Sequence, residues 1–549
     1  MKKNVFNITA LVLINMLLVA GCTSNNMKKV SKIPNGKVIK KKEVSCAANI
    51  DKTNVKKIDN NPIYVRSSKL QNIDYCLFLD NKKIKEVKSN NFKIFPRKYS
   101  DIDGILTFRG NNLRNTAAFG TAQIDKKNLK VIWSFQTSSG TWGGGAGWTG
   151  QASIIKWTED TKKIMNLKQE FKNKKEFVEV VYASLDGNIY FIDLETGKKT
   201  RNPISIHNPI KGSVALDPRG YPLLYVGQGI PEKGEIGYRI FSLIDGKELY
   251  FIKGKDSQAF RSWGAFDGSP LINREDDTMI LGGENGLLYN IKLNTKFDKE
   301  NKKISIKPEV LKYRYKIKGD SHQGIENSVA VYKNLAYFAD NGGGIQCVNL
   351  QTMRPVWTFD GKDDTDSTIT IEEDDNIPYI YTANEVDKQG AKGITYLKKI
   401  NGITGKEIFE KQYHAMSLLG DKPVNGGALA TNVIGKGDIK KQVIFTIARY
   451  KQFNSGLMVA LDKKTGEEIW KYEMPNYAWS SPVDIYDRNG KGYLIQGDST
   501  GDLSLIEGKT GKVLNSINLG TNIESSPAVY NNILVVATRW GKIYGVKIE

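Results

Sequence analysis

The chain has 549 residues, 40% of them hydrophobic and 25% charged, with 52 glycines spread along its length instead of gathered in one tract. This is the composition of a folded protein and excludes a low-complexity chain; at this length it holds three or four average domains, or one large repeat domain with an appendage. Lys and Arg outnumber Asp and Glu by 80 to 59, for a net charge of +21 and an isoelectric point near 9.4, but no recognition-helix, RNA-binding or zinc pattern accompanies that charge, so no nucleic-acid partner is expected.

In chain order, Lys2 and Lys3 precede a mostly apolar run from Phe6 to Ala20, shorter than the roughly 20 residues a membrane-spanning helix needs. It reads as the core of a signal peptide. Leu18-Val19-Ala20-Gly21-Cys22 resembles the bacterial lipobox. That resemblance implies a signal peptide over 1–21, cleavage before Cys22, diacylglycerol on its thiol and acylation (palmitate) of the new amino terminus. The result is stable lipid anchoring on the extracytoplasmic face of a bacterial membrane, or on the outer membrane where one exists. The alternative is an ordinary signal peptide with a chance cysteine. Residues 22–100 form a basic linker, with lysines at Lys37, Lys40, Lys41, Lys42, Lys82, Lys83, Lys85 and Lys88. Within it Cys46 and Cys76 either close a loop of about 30 residues, worth roughly 3 to 4 kcal/mol, or stand as two free thiols. Its fragments YCLFLD and KIKEV are either short strands beneath the main fold or part of a linker.

From residue 101 one phrase recurs eight times: a glycine turn, an alternating strand, a polar turn often ending in Thr-Gly, and a second strand. Its copies begin at Asp186, Tyr238, Asn285, Gly343, Gly393, Gly456, Gly501 and Gly541. Alternation such as Leu457, Val459, Leu461 puts every second side chain on one face, and each copy predicts a hairpin. A small residue opening an apolar strand precedes each copy, at Gln151, Gly212, Gly268, Asn327, Ser367, Gly427, Ser480 and Ser525. Small residues suit innermost strands crowded round a narrow axis. Single hairpins are marginal in water, so four-stranded sheets arranged in a ring are the expected solution. The last copy ends at Glu549 without a fourth strand, whereas NLKVIWSFQ at Asn128 matches the Trp-bearing outer strands EEIWKYE and RPVWTFD. The first and last strands are therefore expected to share one blade, removing exposed sheet edges.

LMVALDKKTGEEIW, from Leu457 to Trp470, and TFRGNNLRNTAAFG at Thr107 resemble the signature and lead-in of the pyrroloquinoline-quinone (PQQ)-like β-propellers. The resemblance covers 101–549 and implies an all-β, eight-bladed propeller behind the lipoprotein signal and basic tether. That family takes in quinoprotein dehydrogenases, the outer-membrane barrel-assembly lipoprotein BamB and many binding proteins. Its dehydrogenases hold the quinone between a tryptophan and a disulfide of adjacent cysteines, above a calcium ion bound by Glu, Asn and Asp. This chain has no Cys-Cys pair, and only Glu326-Asn327 matches part of a calcium set.

No catalytic constellation emerges, since His207, His322 and His414 fall in different repeats and no metal-ligand spacing is present. Trp142, Trp148, Trp263 and Trp479 lie just before inner strands, and Asp267, Glu326 and Glu524 hold comparable positions. Together with Asn327 they form a candidate binding rim, against the alternative of tryptophans packed between blades. Trp133, Trp357 and Trp470 follow the Thr-Gly turn and are assigned to inter-blade packing. The expected protein is a monomeric, membrane-anchored binding scaffold for a protein or cell-envelope polymer, without a cofactor. Its rivals are a quinone dehydrogenase using PQQ and calcium, and adhesion to anionic polymers through the basic tether.

Overall fold

The computed structural model describes residues 61–65, 70, 72–87, 92–147, 150–319 and 322–549; Cys22, Cys46 and Trp148 lie outside them. Eight antiparallel sheets follow one another along the chain, spanning 153–205, 215–253, 271–317, 330–360, 370–415, 433–474, 483–518 and 528–548. They are blades one to eight of a β-propeller. The eighth is completed by Leu129–Gln136, which pairs antiparallel with Lys542–Ile548 from Leu129 opposite Ile548 to Gln136 opposite Lys542. The ring is closed by the N-terminal strand, as the missing fourth strand predicts.

The Thr-Gly-Trp phrase is explained by contacts between neighbouring blades. The indole N–H of Trp133 donates to Leu194 O of blade one (2.8 Å), that of Trp357 to Gly402 O of blade five (2.8 Å), and that of Trp470 to Gly508 O of blade seven (3.1 Å). Each ring lies flat over the next blade's turn glycine: a Cβ on Gly197, Gly405 or Gly511 would stand 2.7, 2.8 or 2.4 Å from indole carbons. These glycines also hold φ near +70°, which L-residues avoid. Both faces of the sheets are buried, so each blade's apolar alternation meets its neighbours'. Cys347 sits fully buried in this way between blades four and five.

The fragment left open between strands and linker is a hairpin. Ile73–Leu79 pairs antiparallel with the outer strand Glu309–Ile317 of blade three, and Lys82–Ile84 follows it, widening that blade to six strands. It lies at the rim of the ring, not beneath it. Cys76 is half-buried on this hairpin. The lysines Lys82 and Lys83 occupy the new sheet edge, where charge discourages further strand pairing.

At the axis the small residues that open the inner strands form a hydrogen-bonded belt. The backbone N–H of Gln151 donates to Ser213 Oγ (2.9 Å), Ser269 to Ser328 (2.9 Å), Ser328 to Thr368 (3.0 Å), Thr368 to Thr431 (3.0 Å), Thr431 to Ser481 (2.9 Å) and Ser481 to Ser526 (3.3 Å). The N–H of Ser526 returns to Gly150 O at 2.8 Å. Small size is thus half of the requirement; the other half is a hydroxyl that accepts from the preceding blade.

Below the belt, residues 104–119 cross the axis and close that end. Ile105 pairs with Ile154 of blade one; Leu106 O, Asn112 O, Leu113 O and Ala117 O accept from Leu216, Val331, Ile371 and Val529 of blades two, four, five and eight. Two guanidiniums lock the segment in place. Arg114, fully buried, donates to Val329 O (2.9 Å), Ser269 O (2.7 Å), Phe108 O (2.8 Å) and Thr107 Oγ1 (2.7 Å). Arg109, also fully buried, donates to Pro482 O (2.5 Å) and Asn432 O (3.0 Å). Burial lowers both, Arg109 to about 10 and Arg114 to about 9, yet each remains charged at neutral pH. Arg114→Met, which leaves three buried carbonyls without a donor, is expected to cost about 3 kcal/mol in urea unfolding, and Ser328→Ala about 1 to 2 kcal/mol. Losses near zero in both variants would show that the axis is not what joins the blades.

Candidate functional site

With one end plugged, the other end of the axis is the accessible one. The belt residues mark its depth. Two positions before them, all in one register above the belt, stand Lys211 and the three carboxylates Asp267, Glu326 and Asp366 on blades two to five, then Leu429, Trp479 and Glu524 on blades six to eight. Phe108, carried by the plug, joins Asp267, Glu326, Asn327, Asp366 and Leu429 around a cavity of about 10 Å³.

Glu284 follows the second strand of blade three, Glu385 opens a short strand, Glu385–Val386, paired with Gly426–Gly427, and Asp364 comes from the approach to blade five. The acid cluster is tightly coupled. Lys211 Nζ bridges Asp267 and Glu326, reaching Glu326 Oε1 at 3.0 Å. Asn341 donates to Glu326 Oε2 at 3.2 Å and accepts from Arg261 at 2.6 Å. Trp263 donates its indole N–H to Glu284 Oε2 at 2.7 Å, and Asn425 donates to Glu385 Oε2 at 3.0 Å.

Six carboxyl groups, five buried and Asp364 half-buried, gathered round one lysine cannot all ionise. Burial, reinforced by Glu326, pushes Asp267 up to about 7. Burial and neighbouring carboxylates drive Glu284, Asp364, Asp366 and Glu385 well above the usual carboxylate range. Burial would raise Glu326 as well, but Lys211 beside it holds it below that range. Lys211 itself, despite burial, is held well above its ordinary value by Asp267 and Glu326. Protons therefore serve as most of the cluster's counter-ions.

Of the rim residues expected from sequence, Asp267, Glu326 and Trp263 come together here. Trp479 is half-buried at the entry to blade seven, its ring 5.8 Å from Tyr477 and 5.9 Å from the Arg449 guanidinium. Trp142 is 46% exposed in the loop leading to blade one. Glu524 lies apart from the acid cluster, with Asn522 at 3.0 Å and Arg539 at 3.5 Å. Asn327 faces the blades, donating to Ala339 O (3.0 Å) and Thr365 O (2.8 Å). Lys211 and Asp366 were missed, although the shared offset of two residues before the belt position carries them; Glu284, Asp364 and Glu385 have no such repeat signal.

Three comparisons bear on this architecture. A family model described as outer membrane protein assembly factor BamB matches residues 454–549. Among solved structures, a quinohemoprotein alcohol dehydrogenase (ADHIIG) from Pseudomonas putida HK5 superposes with a TM-score of 0.55 at 12% identity, covering 81% of this chain and 80% of that one. BamB from Moraxella catarrhalis gives 0.49 at 16% identity over 76% and 100% of the two chains. No curated protein matches. The fold is that of the PQQ-like propellers, and at these identities the likeness extends to fold alone.

Because the folded carboxyls bind protons more tightly than unfolded ones, the stabilisation they give is complete below about pH 4, the unfolded carboxylate range. It is lost as pH rises through about 7, the value for Asp267. Tm is expected to fall between about pH 5 and pH 8, less steeply in Asp267→Asn. A rising Tm, or an unchanged slope in the variant, contradicts this.

Proposed function

We propose that this chain is a membrane-tethered, extracytoplasmic scaffold that holds a protein or cell-envelope polymer against the open mouth of its ring. The observation that carries this is asymmetry: residues 104–119 seal one end of the axis, whereas loops at the other end present Trp540 (70% exposed), Leu419 (60%) and Phe260 (56%) together with Trp142, Trp263 and Leu418. Exposed aromatic and aliphatic side chains on several loops of that end, round a polar centre, have the make-up of a docking surface. Among the described residues no helix is long and apolar enough to cross a membrane, so the tether in this reading is the lipid on Cys22. The matched family description supports an envelope role.

The dehydrogenase reading draws support from the fold of ADHIIG, but the mouth suits it poorly. A quinone bearing several carboxylates would face six acidic side chains across a cavity of about 10 Å³, and the sequence has no adjacent cysteines to cover it. Addition of the quinone with calcium is expected to give neither a shifted absorption band nor dye reduction; either would reinstate that reading.

The scaffold is tested by cross-linking in native membranes and identifying what is retained by the lipidated protein and by a Trp263→Ala, Trp479→Ala variant. Partners captured by the parent are expected to fall about tenfold or more in the variant, the effect of losing aromatic anchors worth about 1.4 kcal/mol or more. Equal recovery would move the docking surface away from the mouth, and recovery lost only on neutralising the lysines of residues 27–100 would favour the basic tether.

A further inference from the structure

One station of the rim is built unlike its counterparts. In the turn between the second and third strands, blades one, three, four and seven place Asp186, Asn285, Gly342 and Thr500 immediately before the turn glycine, small or polar residues of the kind turns favour. Blade eight places Trp540 there, before Gly541. Trp540 holds φ +70°, a left-handed backbone that bulky residues avoid, and it is 70% exposed. An indole that gives up backbone preference without gaining burial is not placed for stability.

The glycine run leading to blade one supports that indole. Gly140 and Gly143 close a two-residue turn by exchanging backbone hydrogen bonds of 2.8 and 3.0 Å, with Thr141 and Trp142 at its tip. Gly143 packs against the ring of Trp540: a Cβ on it would stand 3.1 Å from the ring carbon Cε3, and one on Gly145 would stand 1.7 Å from Thr538 O. Only glycine lets the two turns approach this closely. One face of the Trp540 ring is thus backed by glycine while the side chain stays open to solvent, and Trp142, 46% exposed, stands one residue from the contact.

We propose that Trp540 and Trp142 form a stacking platform for the sugar rings of a glycan chain, an inference that deepens the docking reading of the mouth and rests on it. The C–H bonds on one face of a pyranose meet the negative π face of an indole. Hydroxyls at the ring's edge accept from Lys542 and from Arg539, which flank the Trp540-Gly541 turn. The same two cations disfavour a partner's arginine or lysine over the indole. A partner protein's aromatic anchor seeks a desolvated pocket, whereas these indoles lie open on the rim. The station belongs to blades eight and one, away from Asp267, Glu326 and Asp366 at the entries of blades three to five, so a sugar chain reaches it without entering the acid cluster.

Chitohexaose and cellotetraose, soluble chains of β-linked pyranose rings, are the probes, read by saturation-transfer NMR with the full chain. At least one is expected to give saturable transfer to its ring C–H protons. Trp540→Asn is expected to weaken that binding about tenfold or more, while Tm stays level or rises, because Asn tolerates the left-handed backbone. Trp540→Phe, which keeps an aromatic face, is expected to retain binding. Absence of saturable transfer from both probes overturns the proposal, as does unchanged binding or a lowered Tm in Trp540→Asn. If both probes fail while cross-linked proteins are still lost from the Trp263→Ala, Trp479→Ala variant, the glycan is overturned and the docking reading stands.

Discussion

The structure depends on how eight inner strands meet at one axis. Seven of them begin with a backbone N–H aimed at the next blade, in a narrow place, and a buried amide without a partner is costly. Serine and threonine hydroxyls at Ser213, Ser328, Thr368, Thr431, Ser481 and Ser526 resolve both demands at once. Where blade eight meets blade one, the acceptor is the backbone carbonyl of Gly150. Gln151 spans the same junction, donating to Pro527 O while accepting from Arg109 N. The belt fixes the blades in angular register, and with it the height of everything above and below.

That register explains why charge is segregated along the axis. Below the belt, Arg109 and Arg114 donate mainly to backbone carbonyls. Above it, carboxyl groups outnumber the one lysine that reaches them. The plug therefore blocks one end, and Lys211 is the cation that holds charge on Glu326 at the other.

The ring was legible in the sequence because its determinants repeat. Thr-Gly followed by an outer-strand tryptophan recurs since each Trp needs a glycine turn on the next blade, as Trp470 needs Gly511, and the unpaired final hairpin pointed to Leu129–Gln136. The site was legible only in part. Asp267 and Glu326 stood out as acids beside belt serines, whereas Lys211 has the same offset and was passed over as one lysine among many. Glu284, Asp364 and Glu385 are contributed by loops whose convergence depends on closure of the whole ring, which no local pattern encodes. The hairpin Ile73–Leu79 was ambiguous for a similar reason: its partner, Glu309–Ile317, lies more than two hundred residues away.

The net charge of +21 and the acidic cluster act at different ranges. Exposed lysines set the field felt by an approaching molecule, and at physiological salt that field decays over about 8 Å. It draws polyanions toward the surface without selecting among them. The buried carboxyls are little screened and act only on what comes close to them, where they favour cations and disfavour anions. Whatever the outer lysines attract, the buried carboxyls therefore disfavour a polyanion at the axis.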